Sequence, residues 1–328
     1  MPLCKTLDIL SKCEREGYAV GAFNINGLDQ PGYLIKRAEK LGSPVLIVEP
    51  GVMEPYVDFE DFALVTARAA KKASVPVGIH LSHGLDLEQT ERACRAGFTS
   101  VMYDGSKLSY EENVKTTRIA VEMGHRFGCA VEGELGALGS SFADIRESMT
   151  DPELARDFVM RTGVDILAVS IGNAHGFYKG TPQLDFERLG EIRRALMPYG
   201  CYLTLHGGTG IPGDHIRRSI QLGIVKICIY TEMCHEGKKG IQSYLNAHPR
   251  YTGNLDIPDM LAAMMEGYAN SLEDCAKMFM STGKRAGGLG SSTGEKTPPN
   301  LEAGPEYPSL PAENPGFQGN GVYWDQNL

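Results

Sequence analysis

The stretch SVMYDGSKLSYEENVKTTRIAVEMGHRFGCAVEGE, residues 100–134, contains the repeating unit that decides the fold. Ser100–Tyr103 and Ala130–Glu134 are short apolar runs typical of buried parallel strands, because they are too short to be helices. Between them, Tyr110–Phe127 has helical periodicity and opens with two glutamates, which suit the positive end of a helix dipole. The stretch is therefore predicted to be a strand, a helix and a second strand.

The same unit recurs along most of the chain. Further buried strands are predicted at Ala19–Phe23, Pro44–Val48, Val77–Leu81, Ile166–Val169, Tyr202–His206 and Ile224–Ile229. Eight strands that alternate with helices, all before about residue 235, favour an α/β fold of the (β/α)8 barrel type. A doubly wound open sheet is the alternative that the pattern leaves open. The other predicted helices are Phe59–Lys72, Leu154–Thr162 after an Asp151 cap, Pro258–Met280, and an extra N-terminal helix, Leu7–Glu16, that closes the barrel bottom.

Composition excludes several classes of protein. The chain has 328 residues, of which 42% are hydrophobic, and its net charge of −9 argues against a nucleic-acid surface or a basic membrane patch. No apolar run reaches the roughly 18 residues needed to cross a bilayer, and no secretory signal is visible. The eight cysteines show no close pairing, so we expect reduced thiols in a cytoplasmic protein.

The composition changes near Gly287, after which glycine and then proline residues become frequent. We therefore interpret residues 1–286 as the barrel domain and residues 287–328 as an extended C-terminal tail.

Three histidines mark the expected active-site mouth. In a barrel, side chains just past the carboxyl ends of the strands converge on one mouth. His83, His175 and His206 each fall at the end of a different predicted strand, and each precedes a glycine. Three imidazoles with an optional carboxylate describe a Zn²⁺ site with an open position. The alternative for each residue alone is a hydrogen-bonded core or rim histidine.

A glycine-rich loop follows the seventh strand, at Gly207-Gly208-Thr209-Gly210. Such loops present backbone N–H groups to anions, and barrels commonly hold phosphate near this strand. Lys179 and Thr231 lie just past two neighbouring strand ends, where they could complete a phosphate site.

Taken together, these motifs resemble those of the class II, metal-dependent fructose-bisphosphate or tagatose-bisphosphate aldolases. The likeness covers about residues 1–285 and rests on Gly-Ala-Phe-Asn-Ile-Asn, His-Leu-x-His-Gly, Val-Met-Tyr-Asp-Gly-Ser, Glu-x-Glu-Leu-Gly, His-Gly-x-Tyr-Lys, His-Gly-Gly-Thr-Gly and Val-Lys-Ile-x-Ile-x-Thr-Glu. The resemblance implies a homodimer or homotetramer that binds a sugar phosphate. It also implies Zn²⁺ or another divalent metal, with a monovalent cation as a further candidate.

The resemblance assigns roles to particular residues. His83, His175 and His206 match the metal ligands, and Glu134 matches a carboxylate that approaches the metal in some states. The residues that match substrate-binding and phosphate-binding positions are Asn24, Gly176, Lys179, Gly207, Thr209 and Thr231.

The chain also departs from the family pattern in its proton-transfer half. Ser82 stands where the family has an aspartate that moves the substrate's hydroxyl proton, and a serine has no accessible pKa near neutrality. Cys228 replaces an asparagine that contacts the ketose. In the glycine-rich loop after the fifth strand a glutamate is lost, while Asp144 is present. Glu49 stands where the family has serine or threonine.

We therefore expect an aldolase-like lyase that acts on a ketose phosphate through a metal-stabilised enediolate, with altered proton transfer and an altered aldehyde half. Glu49, Asp144 or a metal-bound water is expected to move the proton, and a carboxylate at position 49 would repel a second phosphate. A metal-dependent sugar epimerase or isomerase and a non-catalytic sugar-phosphate-binding protein are the alternatives.

Overall fold

Eight parallel strands form a closed barrel in the computed structural model, which describes residues 3–136, 149–249 and 256–285. The strands follow chain order around the barrel, and β8 pairs with β1. They are β1 Val20–Asn24, β2 Val45–Pro50, β3 Val77–Gly84, β4 Ser100–Tyr103, β5 Ala130–Leu135, β6 Ile166–Val169, β7 Tyr202–Leu205 and β8 Ile224–Ile229. The predicted (β/α)8 barrel is confirmed, and the open-sheet alternative is wrong.

Ten α-helices lie in the described part of the chain. They are α1 Thr6–Glu16, α2 Gln30–Leu41, α3 Phe59–Ala70, α4 Leu87–Ala96, α5 Tyr110–Arg126, α6 Pro152–Thr162, α7 Phe186–Leu196, α8 Gly213–Gln221, α9 Thr231–Ala247 and α10 Asp256–Met278. Five of them begin at a side chain that accepts a hydrogen bond from a first-turn N–H group: Asp58, Asp86, Ser109, Asp151 and Asp185. The predicted Asp151 cap is one of these.

The extra N-terminal helix closes one end of the barrel. Ile9, Leu10 and Cys13 of α1 are buried in one cluster with Val20 and Ile166, which lie at the beginnings of their strands. Burial of this apolar face stabilises the helix beneath the barrel, because apolar contacts provide most of the stability of a short helix. The carboxyl ends of the strands form the open mouth at the other end.

Strand residues alternate between two cores. On β2, Val45 and Ile47 belong to the core between barrel and helices, whereas Leu46 and Val48 belong to the barrel interior. Near the mouth the interior is polar. The inward-facing side chains there include buried His80, Ser82, Glu132, Glu134, His206 and Lys226.

The C-terminal helix α10 contacts α9 and α2, close to its predicted bounds. None of the helices in the described ranges combines the length and apolar content that a membrane span needs. The predicted tail, residues 287–328, lies outside the described residues, so its boundary stays a prediction.

Candidate metal centre

Three imidazole rings meet at the mouth of the barrel. His83 is the second-last residue of β3, His175 is in the loop after β6, and His206 directly follows β7. The ring centroids of His83 lie 5.1 Å from those of His175 and 4.8 Å from those of His206. One nitrogen from each ring lies within 4.8 Å of the others. The structure thus brings together all three histidines that the sequence singled out.

Carboxylates fix the orientation of two of the rings. The His83 Nδ1 atom lies 2.7 Å from Asp104 Oδ2, and the His206 Nε2 atom lies 2.7 Å from Glu132 Oε1. Each of these nitrogens therefore carries the proton, and the other nitrogen presents a lone pair. A hydrogen bond from a ligating imidazole to a carboxylate is the usual support of a protein metal site.

The two remaining nitrogens face each other. His83 Nε2 and His206 Nδ1 are 3.1 Å apart, so two lone pairs repel unless a proton or a cation lies between them. Burial lowers the pKa of His206, but the Cys228 thiol and Glu132 outweigh it and raise that pKa to about 10. A divalent ion bound here would take the place of that proton.

A second group of possible ligands adjoins the first. Glu134 Oε2 is buried, has no hydrogen-bond partner within the described residues, and lies 4.0 Å from His83 Nδ1. Burial and the charge of Asp104 raise the pKa of Glu134 well above its usual value. His83, Asp104 and Glu134 also satisfy the geometry of a metal-ligating group. Three imidazoles and a carboxylate with one unpartnered oxygen, Glu134 Oε2, are a donor set that fits a divalent ion such as Zn²⁺.

Two backbone positions at this centre have left-handed conformations. The φ angle of His83 is 50°, which costs a residue with a side chain of order 1–3 kcal/mol and is typical of functional sites. Gly207 has a φ of 64°, and a Cβ atom there would lie 2.1 Å from the Ala174 carbonyl oxygen. Only glycine allows this close approach of the loops after β6 and β7.

Hydrogen bonds hold these two loops together. The Tyr178 hydroxyl accepts from the Ala174 N–H at 2.9 Å and donates to the Gly207 carbonyl at 3.0 Å. Asn173 Nδ2 donates to the His206 carbonyl at 3.1 Å. His175 and His206 are therefore positioned by one connected structure.

The residues of the predicted phosphate site lie on three adjacent loops. Gly176 and exposed Lys179 follow β6, Gly207 and Thr209 follow β7, and Thr231 begins α9 after β8. Thr209 Oγ1 accepts from the Glu232 N–H at 3.2 Å, which connects the second loop to the third. Their role in binding phosphate stays a prediction.

Two further predicted substrate contacts are buried near the centre. Asn24 ends β1 on the interior face, and its Oδ1 atom has no hydrogen-bond partner in the described part of the chain. Cys228 Sγ lies 3.5 Å from His206 Nε2. Cys228 therefore contacts a ring of the centre directly, whereas contact of Asn24 with a ligand stays a prediction.

The three predicted catalytic residues are placed differently. Ser82 is buried and, by strand alternation, shares the interior face with His80. Glu49 pairs with Leu81 and shares the face of Ile47, which points toward the helices. The structure therefore does not bring Glu49 to the histidines. Asp144 lies outside the described residues.

Glu49 instead lies in the layer between the barrel and the helices. It is fully buried, and neither carboxylate oxygen has a hydrogen-bond partner among the residues that the structure describes. Burial, together with the charges of Glu54 and Asp58, raises its pKa to about 9. The side chain is therefore uncharged at neutral pH.

Four polar residues of the centre were missed from the sequence: Asp104, Glu132, Lys226 and His80. Asp104 had a readable signal, because it directly follows the fourth predicted strand. Glu132 and Lys226 each lie two residues before a predicted site residue, which places both on the same strand face as that residue.

Comparisons with known proteins give related sequences and a related fold. The family model of class-II fructose-bisphosphate aldolase matches residues 4–284. A probable fructose-bisphosphate aldolase of Bacillus subtilis (strain 168) is 42% identical over 255 residues, which are 76% of this chain and 88% of that protein. The crystal structure of the YdjI aldolase from Escherichia coli K12 superposes with a TM-score of 0.75 at 32% identity, and the match covers 86% of this chain and 99% of that one.

Proposed function

Because the chain belongs to the class II fructose-bisphosphate aldolase family and is an aldolase-type lyase, we propose that it cleaves and forms a carbon–carbon bond of a ketose phosphate at the His83–His175–His206 centre. The observation that carries this proposal is the convergence of three imidazoles at the mouth, two of them held by carboxylates. Zn²⁺ is the proposed ion, and a homodimer or homotetramer is the proposed assembly.

Each part of the site has a separate task in this proposal. A divalent ion, when bound by the three histidines, supplies a Lewis acid for a ketone carbonyl. Asp104 and Glu132 hold two of the imidazoles in the tautomers that ligation requires. The loops that carry Gly207, Thr209 and Lys179 bind the phosphate and fix the position of the ketone.

Cleavage requires a proton acceptor. The hydroxyl group beside the scissile bond loses its proton, the bond breaks to give an aldehyde, and the electron pair moves toward the ketone carbonyl. Ser82 can orient that hydroxyl by a hydrogen bond but cannot store its proton. Asp144 is therefore the preferred carboxylate acceptor, because Glu49 faces the helices.

The substitution at Ser82 favours a second candidate reaction. An epimerase or isomerase instead removes a proton from the carbon beside the ketone and returns a proton to carbon without breaking the carbon–carbon bond. Such a reaction does not require a group that deprotonates the hydroxyl beside the scissile bond. The buried Ser82 cannot act as that group.

The test is a comparison of ketose phosphates with the zinc-loaded and the chelator-treated protein. We expect zinc-dependent release of a three-carbon ketose phosphate from at least one substrate, and loss of that release in His206→Ala. Solvent deuterium that enters the substrate without cleavage would support the epimerase instead. A protein that binds no zinc, or catalyses neither event, would contradict both reactions. The molar mass in solution tests the proposed assembly.

A further inference from the structure

A column of buried polar side chains lies inside the barrel beneath the metal centre. Glu132, Lys226 and His80 are all fully buried. Lys226 Nζ donates to Glu132 Oε2 at 2.5 Å and to His80 Nε2 at 2.9 Å. Because the other oxygen of Glu132 accepts from His206, both ends of this carboxylate are held.

The direction of the hydrogen bonds along this column is determined. Burial and the charge of Lys226 lower the pKa of His80 well below its usual value, so His80 is neutral. Its Nε2 atom accepts from Lys226, and its Nδ1–H therefore donates to Ser100 Oγ at 2.8 Å. Ser100 Oγ also accepts from Thr6 Oγ1 at 2.9 Å, which anchors the column to helix α1.

The contribution of the buried Lys226–Glu132 pair to the free energy of unfolding does not by itself explain its presence. A buried ion pair often contributes little net stability compared with apolar residues of similar volume, because both charges lose their hydration. The pair lies directly behind one imidazole of the metal centre, and Glu132 contacts that imidazole on the nitrogen that does not face His83.

We propose that Lys226 is a positioning residue that acts through Glu132 on His206. The Lys226 ammonium group holds the Glu132 carboxylate in one orientation by its hydrogen bond to Oε2. The carboxylate then keeps the proton of His206 on Nε2 and directs the Nδ1 lone pair to the metal position. The inference rests on the proposed function, because it concerns the affinity of the same centre for its ion.

The experiment measures Co²⁺ affinity by competition with a chelator, in the full chain carrying Glu132→Gln, Lys226→Met or both. The double variant removes both buried charges and leaves neither unpaired, so it keeps the test valid if Lys226→Met fails to fold. Asp165→Asn is the matched control, because Asp165 accepts from His125 Nε2 at 2.8 Å at the other end of the barrel.

We expect the double variant to bind Co²⁺ about 10- to 100-fold more weakly than the wild type, as is typical when a carboxylate behind a ligand is removed. The loss should equal that of Glu132→Gln alone, because Lys226 acts through Glu132. Nitrogen NMR of the zinc-loaded protein should show the His206 Nε2 proton as a slowly exchanging, hydrogen-bonded signal in the wild type and as a faster-exchanging signal in the double variant, which lacks the carboxylate partner.

Three outcomes would overturn the proposal. Unchanged affinity in the double variant refutes the positioning role, as does an equal loss in Asp165→Asn. Additive losses in the two single variants refute the route through Glu132. A wild-type protein that takes up no Co²⁺ refutes the proposed function itself, which is a distinguishable result.

Discussion

His83 Nε2 and His206 Nδ1 face each other at 3.1 Å, and the opposite nitrogen of each ring is hydrogen-bonded to a buried or half-buried carboxylate. The short separation leaves room between the two nitrogens for a proton, or for an ion that takes its place. The four predictions below concern this centre and the residues around it.

Asp104→Asn should weaken metal binding. The amide is uncharged and can present an N–H group to His83 Nδ1, so the ring is no longer held in the ligating tautomer. We expect a loss of about 10- to 100-fold in Co²⁺ affinity, measured by chelator competition. Asp86→Asn is the control, because Asp86 accepts from the Gln89 N–H and no imidazole of the described ranges is among its hydrogen-bond partners. Equal affinities of the Asp104 variant and the wild type would contradict the prediction.

Glu49→Gln should change the pH dependence of stability. The folded state keeps the proton up to a pKa of about 9, whereas the unfolded chain loses it near 4.5. The unfolded state therefore binds fewer protons between these values, and wild-type stability falls as the pH rises. The amide does not titrate, so the variant should gain stability relative to the wild type as the pH rises from 4.5 to 9.

Urea unfolding over that pH range measures this difference, with exposed Glu60→Gln as the control. Parallel stability curves for the wild type and Glu49→Gln would show that Glu49 is ionised in the folded protein. Turnover by the zinc-loaded Glu49 variant tests the catalytic hypothesis separately. A large loss of turnover with metal still bound would indicate that Glu49 takes part in proton transfer.

Gly207→Ala should destabilise the protein and displace His206. The added Cβ atom would meet the Ala174 carbonyl oxygen at 2.1 Å, and the φ of 64° disfavours a side chain. Gly176→Ala is the matched control, because its φ is 85° but nothing lies within 4 Å. We expect only the conformational cost, about 1–2 kcal/mol, in the control and a larger loss of unfolding free energy in Gly207→Ala. Equal losses would show that the close approach of the two loops is unimportant.

Ser82→Ala should reduce turnover only modestly. A hydroxyl group can orient a substrate but not accept its proton near neutral pH, so the loss in kcat should stay below the roughly 100- to 10,000-fold expected for a general acid or base. Steady-state kinetics of the zinc-loaded protein measures this loss, and His206→Ala serves as the inactive reference. A loss of kcat within that general acid–base range would assign Ser82 a direct part in proton transfer.

The sequence predicts the barrel well because each strand is a short apolar run, and because half of the helices in the described residues begin at a capping side chain. The strand bounds at β4, β6 and β8 agree with the structure, and Asp151 caps α6 as expected. The histidines were found because the ends of parallel strands converge on one mouth.

The sequence did not predict whether the Glu49 side chain points into the barrel or toward the helices. A parallel strand buried on both sides is mostly apolar, and Val45–Pro50 is apolar apart from Glu49, so it shows no alternation that separates the inward from the outward residues. Lys226 and Glu132 were missed for a related reason, because a charged residue inside an apolar run gives no sign of its partner across the barrel. Such pairs depend on register between distant strands.

Helix α1 and the polar column together make the barrel a blind pocket. The interior between Thr6 and His206 is occupied by hydrogen-bonded side chains, so a sugar phosphate can enter and leave only past the loops at the carboxyl ends of the strands. A single opening restricts the order in which bound fragments can leave the barrel. If the proposed cleavage takes place at the histidines, the fragment nearer the rim is therefore expected to depart before the fragment held against them.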